Sequence, residues 1–374
     1  MMKGTTIAQS SGLSPVRVLC SELMGSYAGT EAVILNYAGR FDPERVKVDF
    51  IVRSEEIGYR ELIPEGSRLI YLPPVGWDPL GYRKRLRELL PAGRYDVLWD
   101  NKNRLSNLSL LNRARKIGIP VRIVHSHNSS WDGSPIQRAA HYVGVHSLGR
   151  SATELWACSE AAGEGMFGRR PFTVVPNAID FDRVSFSAEG RTKKRAEWGL
   201  SGKFVVGVVG RLESVKNHRF IIDIADELVR LRSDIAFVFV GGGSLLAELE
   251  KACHMKGVSD RFVFAGQQAD MRSVYSALDC LVMPSLFEGL PLTAVEAQVN
   301  GLPCVLSDTV TVDCSISTGV RFVPLSNPAG WVDAIVNADR ARTSLVGEKA
   351  ELFNLDVQAR ALQERICKMV EGAV

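Results

Sequence analysis

The chain has 374 residues, which is long enough for two domains with separate hydrophobic cores. Hydrophobic residues make up 46% of it and charged residues 23%, the proportions of an ordinary globular protein. The formal net charge of only +3 argues against nucleic acid as the main partner.

Short apolar runs alternate with helical patterns through the first half of the chain. The predicted strands are residues 16–20, 47–52, 68–72, 96–100, 121–124, 154–159 and 172–175. Such alternation of strands and helices predicts a parallel sheet covered by helices on both faces. Two of the helices carry the basic segments 83–87 and 113–116, which are usually solvated faces and also permit loose contact with anionic lipid headgroups.

The first strand runs into residues 24–31, a loop that contains Gly25 and Gly29. A loop of this kind between a strand and a helix could admit a substrate or a phosphate close to the backbone. It could equally be a tight connection without a ligand.

Two histidines, His125 and His127, follow the strand 121–124. The carboxyl ends of strands are where sites form in parallel sheets. A metal site is the weaker interpretation, because no Asp, Glu or Cys is clearly placed with these histidines. Loop histidines bonded to nearby backbone remain an alternative.

A domain boundary is predicted at Pro176-Asn177-Ala178-Ile179-Asp180, where proline and asparagine precede a charged, irregular stretch. The alternation then resumes. The predicted strands of the second half are residues 204–210, 237–240, 261–266, 279–283, 303–308 and 319–323.

Two cations, Arg211 and Lys216, lie in the loop after the strand 204–210. A solvated surface position is the default for such residues. At the carboxyl edge of a sheet, however, they suit a diphosphate leaving group, whose growing negative charge they would stabilise. The glycine run 241–243 follows the next strand, but a lone run of this kind is weak evidence for a dinucleotide site.

The most informative segment is residues 284–297, Pro-Ser-Leu-Phe-Glu-Gly-Leu-Pro-Leu-Thr-Ala-Val-Glu-Ala. The pattern predicts a strand, a loop and then a helix whose first position suits Pro291. Free N–H groups around Leu290 to Thr293 would then point out of the carboxyl edge of the sheet, where phosphates bind.

Two carboxylates, Glu288 and Glu296, frame these amides. A nucleotide sugar requires groups for its sugar hydroxyls, donors for its diphosphate and an acceptor for its ribose hydroxyls. The alternative is two ordinary surface glutamates. That alternative is weaker for Glu296, which lies among Ala294, Val295 and Ala297, because a buried unpaired carboxylate is costly.

In this context the Glu-x7-Glu segment, with Pro-Ser-Leu-Phe before it and Gly-Leu-Pro within it, resembles the signature of family 4 of the retaining glycosyltransferases. The Gly-Arg-Leu and Lys-Asn residues after the strand 204–210 match the same family, and the histidine loop is similar to that of its capsule and exopolysaccharide branch. The resemblance extends over most of the chain.

The resemblance implies an α/β fold of two Rossmann-like domains that face each other across a cleft, the glycosyltransferase-B architecture. Residues 1–178 would form the acceptor-binding domain and residues 179–355 the nucleotide-sugar-binding domain. The last helix, within residues 356–374, would cross back to the first domain.

The resemblance also implies roles for individual residues. Glu288 would be a catalytic residue that positions the sugar hydroxyls. His127 would hydrogen-bond a substrate near the reacting centre and share a proton near neutral pH, with His125 as the second choice for this role. Residues implied to hold the donor diphosphate are Arg211, Lys216, Gly289, Leu290, Leu292 and Thr293. Glu296 would bind the ribose, Gly241, Gly242 and Phe264 would line the nucleotide cleft, and Gly29 belongs to the N-terminal glycine loop.

The reaction implied is the transfer of a sugar from a nucleoside diphosphate sugar, most plausibly a UDP-sugar, to a glycan or lipid-linked acceptor with retained anomeric configuration. No cofactor and no metal ion are expected, because cations and a helix terminus already neutralise the diphosphate. A nucleotide-sugar epimerase and a non-catalytic nucleotide-sugar-binding subunit are the two alternatives.

Cysteine use and hydropathy predict the compartment. The seven scattered cysteines form no Cys-x-x-Cys pair, which suits reduced thiols in a cytoplasm better than a disulfide framework. The sequence has no run of 18 apolar residues and no signal-peptide core. We therefore expect a cytoplasmic protein, with weak peripheral contact at the inner face of the plasma membrane as a further hypothesis.

Overall fold

The computed structural model describes residues 14–25, 29–73, 79–90, 94–127 and 134–373. The chain divides into two compact units. Unit 1 comprises Met1–Pro176 and Gln358–Val374, and unit 2 comprises Asn177–Val357. The division falls two residues before the predicted boundary between 178 and 179.

Unit 1 is built on a parallel sheet of seven strands with the order β3-β2-β1-β4-β5-β6-β7. Its strands are β1 (Val16–Leu23), β2 (Val46–Val52), β3 (Leu69–Tyr71), β4 (Val97–Lys102), β5 (Val121–Ser126), β6 (Glu154–Ala157) and β7 (Thr173–Val174). Its helices are α1 (Gly29–Ala38), α2 (Pro79–Leu89), α3 (Ser109–Lys116), α4 (Pro135–Ser151) and α5 (Glu160–Phe167).

Unit 2 is built on a parallel sheet of six strands with the order β10-β9-β8-β11-β12-β13. Its strands are β8 (Phe204–Val209), β9 (Ile235–Val240), β10 (Phe262–Gly266), β11 (Cys280–Met283), β12 (Cys304–Ser307) and β13 (Val320–Val323). Its helices are α6 (Ala188–Glu197), α7 (His218–Leu231), α8 (Leu246–Met255), α9 (Met271–Ala277), α10 (Leu292–Val299), α11 (Pro328–Val336) and α12 (Gly347–Glu351).

The last helix, α13 (Leu355–Glu371), belongs almost entirely to unit 1. Gln363 Oε1 accepts a hydrogen bond of 2.6 Å from the N–H of Asp42, and Glu364 forms an ion pair with Arg45. These contacts attach the end of the chain to the loop between α1 and β2.

Both sheets reverse their strand order at one point, between β1 and β4 in unit 1 and between β8 and β11 in unit 2. The strands of unit 2 are buried along their whole length in β8, β9, β11 and β12, because helices cover both faces of the sheet. Ligands of doubly wound sheets bind where the order reverses, beyond the carboxyl ends of the strands. The predicted fold class is confirmed, and each unit offers one such position.

Candidate active site

In unit 2, the loop after β8 carries the two predicted cations. Lys216 ends a short 3-10 helix, Ser214–Lys216, and its Nζ lies 2.6 Å from Oε1 of Glu288. Arg211 instead pairs with Glu213, with 2.9 Å between Nη1 and Oε1, and 74% of its side chain is exposed. The structure therefore brings Lys216 to Glu288, while the only ion pair of Arg211 among the described residues is within its own loop.

Glu288 lies in the loop after β11, where hydrogen bonds of the loop backbone and of a neighbouring hydroxyl hold it in place. Ser285 Oγ donates to Glu288 Oε1 at 2.8 Å, and the N–H of Leu286 donates to the carbonyl of Val215 at 2.8 Å. On the other side, the hydroxyls of Ser307 and Thr309 both donate to the carbonyl of Ser285 at 2.7 Å. In the described part of the chain Glu288 Oε2 has no hydrogen-bond partner, so this oxygen is available to a ligand.

The helix α10 begins directly after this loop. Pro291 is the N-cap of this helix, whereas the sequence predicts it as the first helical residue. Its carbonyl accepts hydrogen bonds from the N–H groups of Ala294 and Val295. The N–H groups of Leu290, Leu292 and Thr293 find no acceptor among the described residues. Such unpaired donors at the positive end of a helix dipole form a site for an anion.

Glu296 lies within α10 and is fixed by a tyrosine. The hydroxyl of Tyr275, which is fully buried, donates to Glu296 Oε2 at 2.6 Å. Burial raises the pKa of Glu296, and the hydrogen bond from Tyr275 opposes that rise. Oε1 has no partner within the described ranges, which leaves one oxygen to accept a hydroxyl.

The glycine run after β9 allows two loops to touch backbone to backbone. Gly241 has a φ of 140°, and a Cβ there would lie 2.0 Å from the carbonyl oxygen of Gly210. Leu212 N–H donates to the carbonyl of Gly242 at 2.9 Å. These glycines therefore position the loop that carries Arg211, in addition to any role in the predicted nucleotide cleft. Phe264, the third of the five residues of β10, is partly buried against Phe239 with 5.5 Å between ring centroids.

In unit 1, a cavity of about 530 Å³ lies at the carboxyl ends of β1 and β4. Its lining is polar and includes Glu22, Thr30, Glu31, Asn101, Lys102, Asn103, Arg104, Ser106 and Asn107. Acids, amides and hydroxyls in one cavity suit a ligand rich in hydroxyl groups.

A charge cluster forms one wall of this cavity. Glu22 Oε1 lies 2.7 Å from Arg53 Nη2 and 3.1 Å from Lys102 Nζ, and Lys102 Nζ also lies 3.3 Å from Asp100 Oδ1. Burial acts to raise the pKa of Glu22, but Lys102 and Arg53 outweigh it and lower that pKa to about 2. Glu22 has a left-handed φ of 74°, an uncommon conformation for a residue other than glycine and one that recurs at functional sites.

The two predicted histidines differ in environment. His125 belongs to β5 rather than to the loop after it, is fully buried, and accepts a hydrogen bond of 3.2 Å at Nδ1 from Trp99 Nε1. His127 is only partly buried, and its Nε2 lies 2.8 Å from Asn101 Oδ1. Of the two histidines, His127 is the one that is not fully buried and that contacts Asn101, a residue of the cavity lining.

Burial also bears on the prediction that His127 shares a proton near neutral pH. It lowers the pKa of His127 to about 4 and the pKa of His125 well below its ordinary value. These shifts favour the neutral form of both imidazoles at neutral pH, in which each ring has one donor and one acceptor nitrogen.

Gly29, from the predicted glycine loop, is the exposed first residue of α1. A Cβ at this position would meet no atom within 4 Å, so the surrounding structure does not demand a glycine. Glu31 of the same segment is buried and accepts a hydrogen bond of 3.2 Å from the N–H of Met24. Residues 26–28 of the predicted loop lie outside the described residues.

The seven cysteines are all free and buried. Burial raises the pKa of Cys280 to about 12, as expected for a thiol that packs in the core. Among the residues described, His, Cys, Asp and Glu side chains form no group of three or more that could hold a metal ion.

Several polar residues of these sites were not predicted: Ser285, Tyr275, Glu22, Asn101 and Lys102. Asn101 and Lys102 are the last two residues of β4 and directly follow the predicted strand 96–100, so polar residues after a predicted strand were a usable signal. Tyr275 gave no such signal, because its partner Glu296 is 21 residues away in sequence.

Comparisons with known proteins cover both units. The family model described as "Glycosyl transferase 4-like domain" matches residues 28–178, and that described as "Glycosyl transferases group 1" matches residues 203–338. The chain is 31% identical to EpsF of Bacillus subtilis (strain 168), which is named as a glycosyltransferase, over 88% of this chain and 90% of that protein. It is 25% identical to the UDP-Gal:alpha-D-GlcNAc-diphosphoundecaprenol alpha-1,3-galactosyltransferase of Escherichia coli, over 87% of each chain.

Solved structures show the same fold. A glycosyltransferase from Rickettsia africae ESF-5 matches with a TM-score of 0.76 at 14% identity, over 96% of this chain and 100% of that one. HepE of Anabaena, solved in complex with UDP, matches with a TM-score of 0.70 at 17% identity, over 96% and 98%. Together with the sequence relatives, these matches show that the chain belongs to family 4 of the glycosyltransferases and has the glycosyltransferase-B fold.

Proposed function

We propose that this protein transfers a sugar from a nucleoside diphosphate sugar to a hydroxyl acceptor, with retention of the anomeric configuration. The observation that carries the proposal is the meeting of Lys216 with Glu288, 2.6 Å apart, beside the unpaired amides that open α10. A cation, an acid and free N–H groups at the strand-order reversal of unit 2 match the needs of a sugar diphosphate.

In the proposed reaction the bond between the anomeric carbon and the diphosphate oxygen breaks, and a bond to the acceptor oxygen forms on the same face. The acceptor proton passes to the departing phosphate, so no covalent intermediate with the protein is required. Lys216 and the amides of Leu290, Leu292 and Thr293 would stabilise the charge that grows on the leaving group. Glu288 would hold the sugar hydroxyls through Oε2, and Glu296 the ribose through Oε1.

We propose a UDP-sugar as the donor and no metal ion or other cofactor. HepE of Anabaena was solved with UDP, and the name of the Escherichia coli relative specifies UDP-Gal. A lysine and a helix N-terminus can supply the positive charge that a divalent cation otherwise supplies to a diphosphate.

The acceptor is proposed to bind in the cavity of unit 1. Its amides, acids and hydroxyls suit a glycan, and the named acceptor of the Escherichia coli relative is a sugar on diphosphoundecaprenol. We therefore propose a glycan or lipid-linked acceptor in the synthesis of an exopolysaccharide, a capsule or another cell-surface glycan.

The proposed function is tested by incubating the protein with UDP-sugars, with and without candidate acceptors and with and without excess chelator. We expect a transfer product whose anomeric configuration by NMR matches that of the donor, slow donor hydrolysis without acceptor, and the same rates in chelator. An inverted product would refute retention, and loss of activity in chelator would refute metal independence. An epimerised donor without acceptor would indicate an epimerase, and UDP binding without any turnover would indicate a binding subunit.

We further propose that unit 1 contacts an anionic membrane surface through α2, α3 and α4. The helix α3 contacts both of the others. The three helices carry nine Arg or Lys residues and one acid, Glu88, a formal net charge of +8 in a chain of net charge +3. Leu80, Ile136, Tyr142 and Val143 add exposed apolar area to this surface, with exposed fractions from 66% to 82%.

Such a surface suits the interface of a bilayer that contains anionic lipids. Free thiols suit a reducing compartment, which supports a contact at the cytoplasmic face in this proposal. Among the described residues, no helix has the length and apolar character needed to cross a bilayer.

The membrane contact is tested by cosedimentation with vesicles. We expect the protein to bind vesicles that contain phosphatidylglycerol, to bind pure phosphatidylcholine vesicles weakly, and to be released by high salt. The triple substitution Arg83→Ala, Lys84→Ala, Arg87→Ala should weaken binding, because each basic residue near the surface contributes about 1 kcal/mol. The matched control is a second triple substitution at exposed positions of unit 2, Arg219→Ala, Arg230→Ala, Lys251→Ala. An equal loss of vesicle binding in both triple variants would refute the proposal that this surface contacts the membrane.

A further inference from the structure

The side-chain amide of Asn101 has only one orientation that satisfies its neighbours. Asn101 is buried at the end of β4, and its Nδ2 donates to the carbonyl of Ser21 at 3.0 Å. If the amide were turned over, Oδ1 would face this carbonyl, and two acceptors would meet without a hydrogen. Oδ1 is therefore the atom that faces His127.

This orientation determines which nitrogen of His127 carries the proton. An amide oxygen can only accept, so the contact of 2.8 Å between Asn101 Oδ1 and His127 Nε2 requires a hydrogen on Nε2. The pKa of His127, lowered to about 4 by burial, leaves the ring neutral at physiological pH. Its Nδ1 then bears a lone pair, and this atom is buried without a hydrogen-bond partner among the described residues, a state that calls for a ligand or an ordered water.

The neighbouring imidazole of His125 has the same tautomer, but its other nitrogen is the one with a partner. The indole N–H of Trp99 can only donate, so His125 Nδ1 accepts and its hydrogen lies on Nε2. The ring centroids of His125 and His127 are 4.2 Å apart. Adjacent rings thus offer one unpaired donor, at His125 Nε2, and one unpaired acceptor, at His127 Nδ1, within the described part of unit 1.

We propose that Asn101 is a positioning residue that holds His127 in the Nε2–H tautomer, so that Nδ1 accepts a hydrogen bond from a substrate hydroxyl. The inference rests on the proposed function, since it assumes that His127 meets a sugar. It adds that this contact selects a hydroxyl donor. A substrate analogue in which the contacted hydroxyl is replaced by an acceptor, such as fluorine, would be rejected, because two acceptors would meet.

The tautomer is measured directly by long-range ¹H–¹⁵N NMR of the whole protein labelled at its six histidines. In the wild type we expect His127 to show a protonated Nε2 and an unprotonated Nδ1. In Asn101→Leu the acceptor is lost, and we expect a mixture of the two tautomers. In Asn101→Asp one carboxylate oxygen can still accept from Nε2, so Nε2 should keep its hydrogen, although the other oxygen cannot donate to the carbonyl of Ser21.

Activity provides the second readout. We expect Asn101→Leu to reduce kcat about tenfold or more, the scale of losing one hydrogen bond to a reacting group, with little change in KM for the donor. Asn101→Asp should recover only part of this loss, because its second carboxylate oxygen meets the carbonyl of Ser21 where Nδ2 donated. Because the new carboxylate favours the imidazolium form, the acid limb of its pH–rate profile should move to higher pH.

His146 serves as the internal control for folding. Its Nδ1 lies 2.8 Å from the carbonyl of Tyr142, which fixes the opposite tautomer, so its signals should stay unchanged in every variant. Asn112→Asp, the same chemical change at an exposed position of α3, should leave the pH profile as it is. A wild-type His127 with its hydrogen on Nδ1, or an Asn101→Leu variant that keeps the wild-type tautomer of His127, would refute the inference. The NMR result stands apart from the proposed function, since it needs no turnover.

Discussion

Glu288→Gln is expected to reduce kcat for sugar transfer by about 100-fold or more, a loss typical of removing one electrostatic contact to a transition state. Oε1 of this carboxylate accepts hydrogen bonds from Lys216 and Ser285, and Oε2 remains to bind the donor sugar. Glutamine has the same shape and can still accept both hydrogen bonds through its carbonyl oxygen. It lacks the negative charge, so the variant should fold normally while losing turnover.

The measurement is kcat from initial rates, together with the melting temperature of each variant. Glu227→Gln, the same change on an exposed position of α7, is the matched control and should retain wild-type kcat. Wild-type turnover in Glu288→Gln would remove this residue from the site. A large fall in melting temperature would instead indicate a structural role.

Lys216→Ala is expected to weaken the binding of a nucleoside diphosphate at least about tenfold, which corresponds to about 1.4 kcal/mol. Lys216 is the cation that the structure pairs with Glu288, two residues before the first of the free amides, and its side chain is 20% exposed. Its removal also leaves the charge of Glu288 without its partner, which further disfavours an anionic ligand. Lys216→Arg keeps the positive charge and should bind with intermediate affinity.

A thermal-shift screen of UDP, GDP and ADP measures this effect and identifies the base. Ligand at 100 times its Kd stabilises the folded state by about 2.7 kcal/mol, which gives a clear rise in melting temperature. Lys251→Ala, at an exposed position of α8, is the control and should show the wild-type shift. Equal shifts in Lys216→Ala and the wild type would mean that the diphosphate binds elsewhere.

Arg211 illustrates how far a motif can predict a site. The sequence placed Arg211 and Lys216 in one loop and assigned both to the diphosphate. In the structure their surroundings differ, because Arg211 is mostly exposed and pairs with Glu213 while Lys216 reaches Glu288. Five residues of separation specify a shared loop, but the direction of each side chain depends on the segment packed against it.

The histidine pair shows the same limit. The pattern identified His125 and His127 but could not distinguish them, and it placed both in a loop. The strand β5 continues through Ser126, so His125 lies in the sheet between neighbouring strands and is buried beside Trp99 and Trp156. Strand pairing with β4 and β6 extends the strand, and such pairing is a property of the sheet rather than of the local sequence.

The sequence by itself determined the two parallel sheets, because short apolar runs separated by helical patterns have no other way to bury both faces of each strand. It also determined the strand–loop–helix segment around Glu288, whose glycine and proline act on the backbone locally. The tertiary structure alone decided the partners of the polar side chains. Lys216 and Glu288 are 72 residues apart, and Asn101 and Ser21 are 80 apart, so these contacts exist only after the strands have taken their order in the sheet.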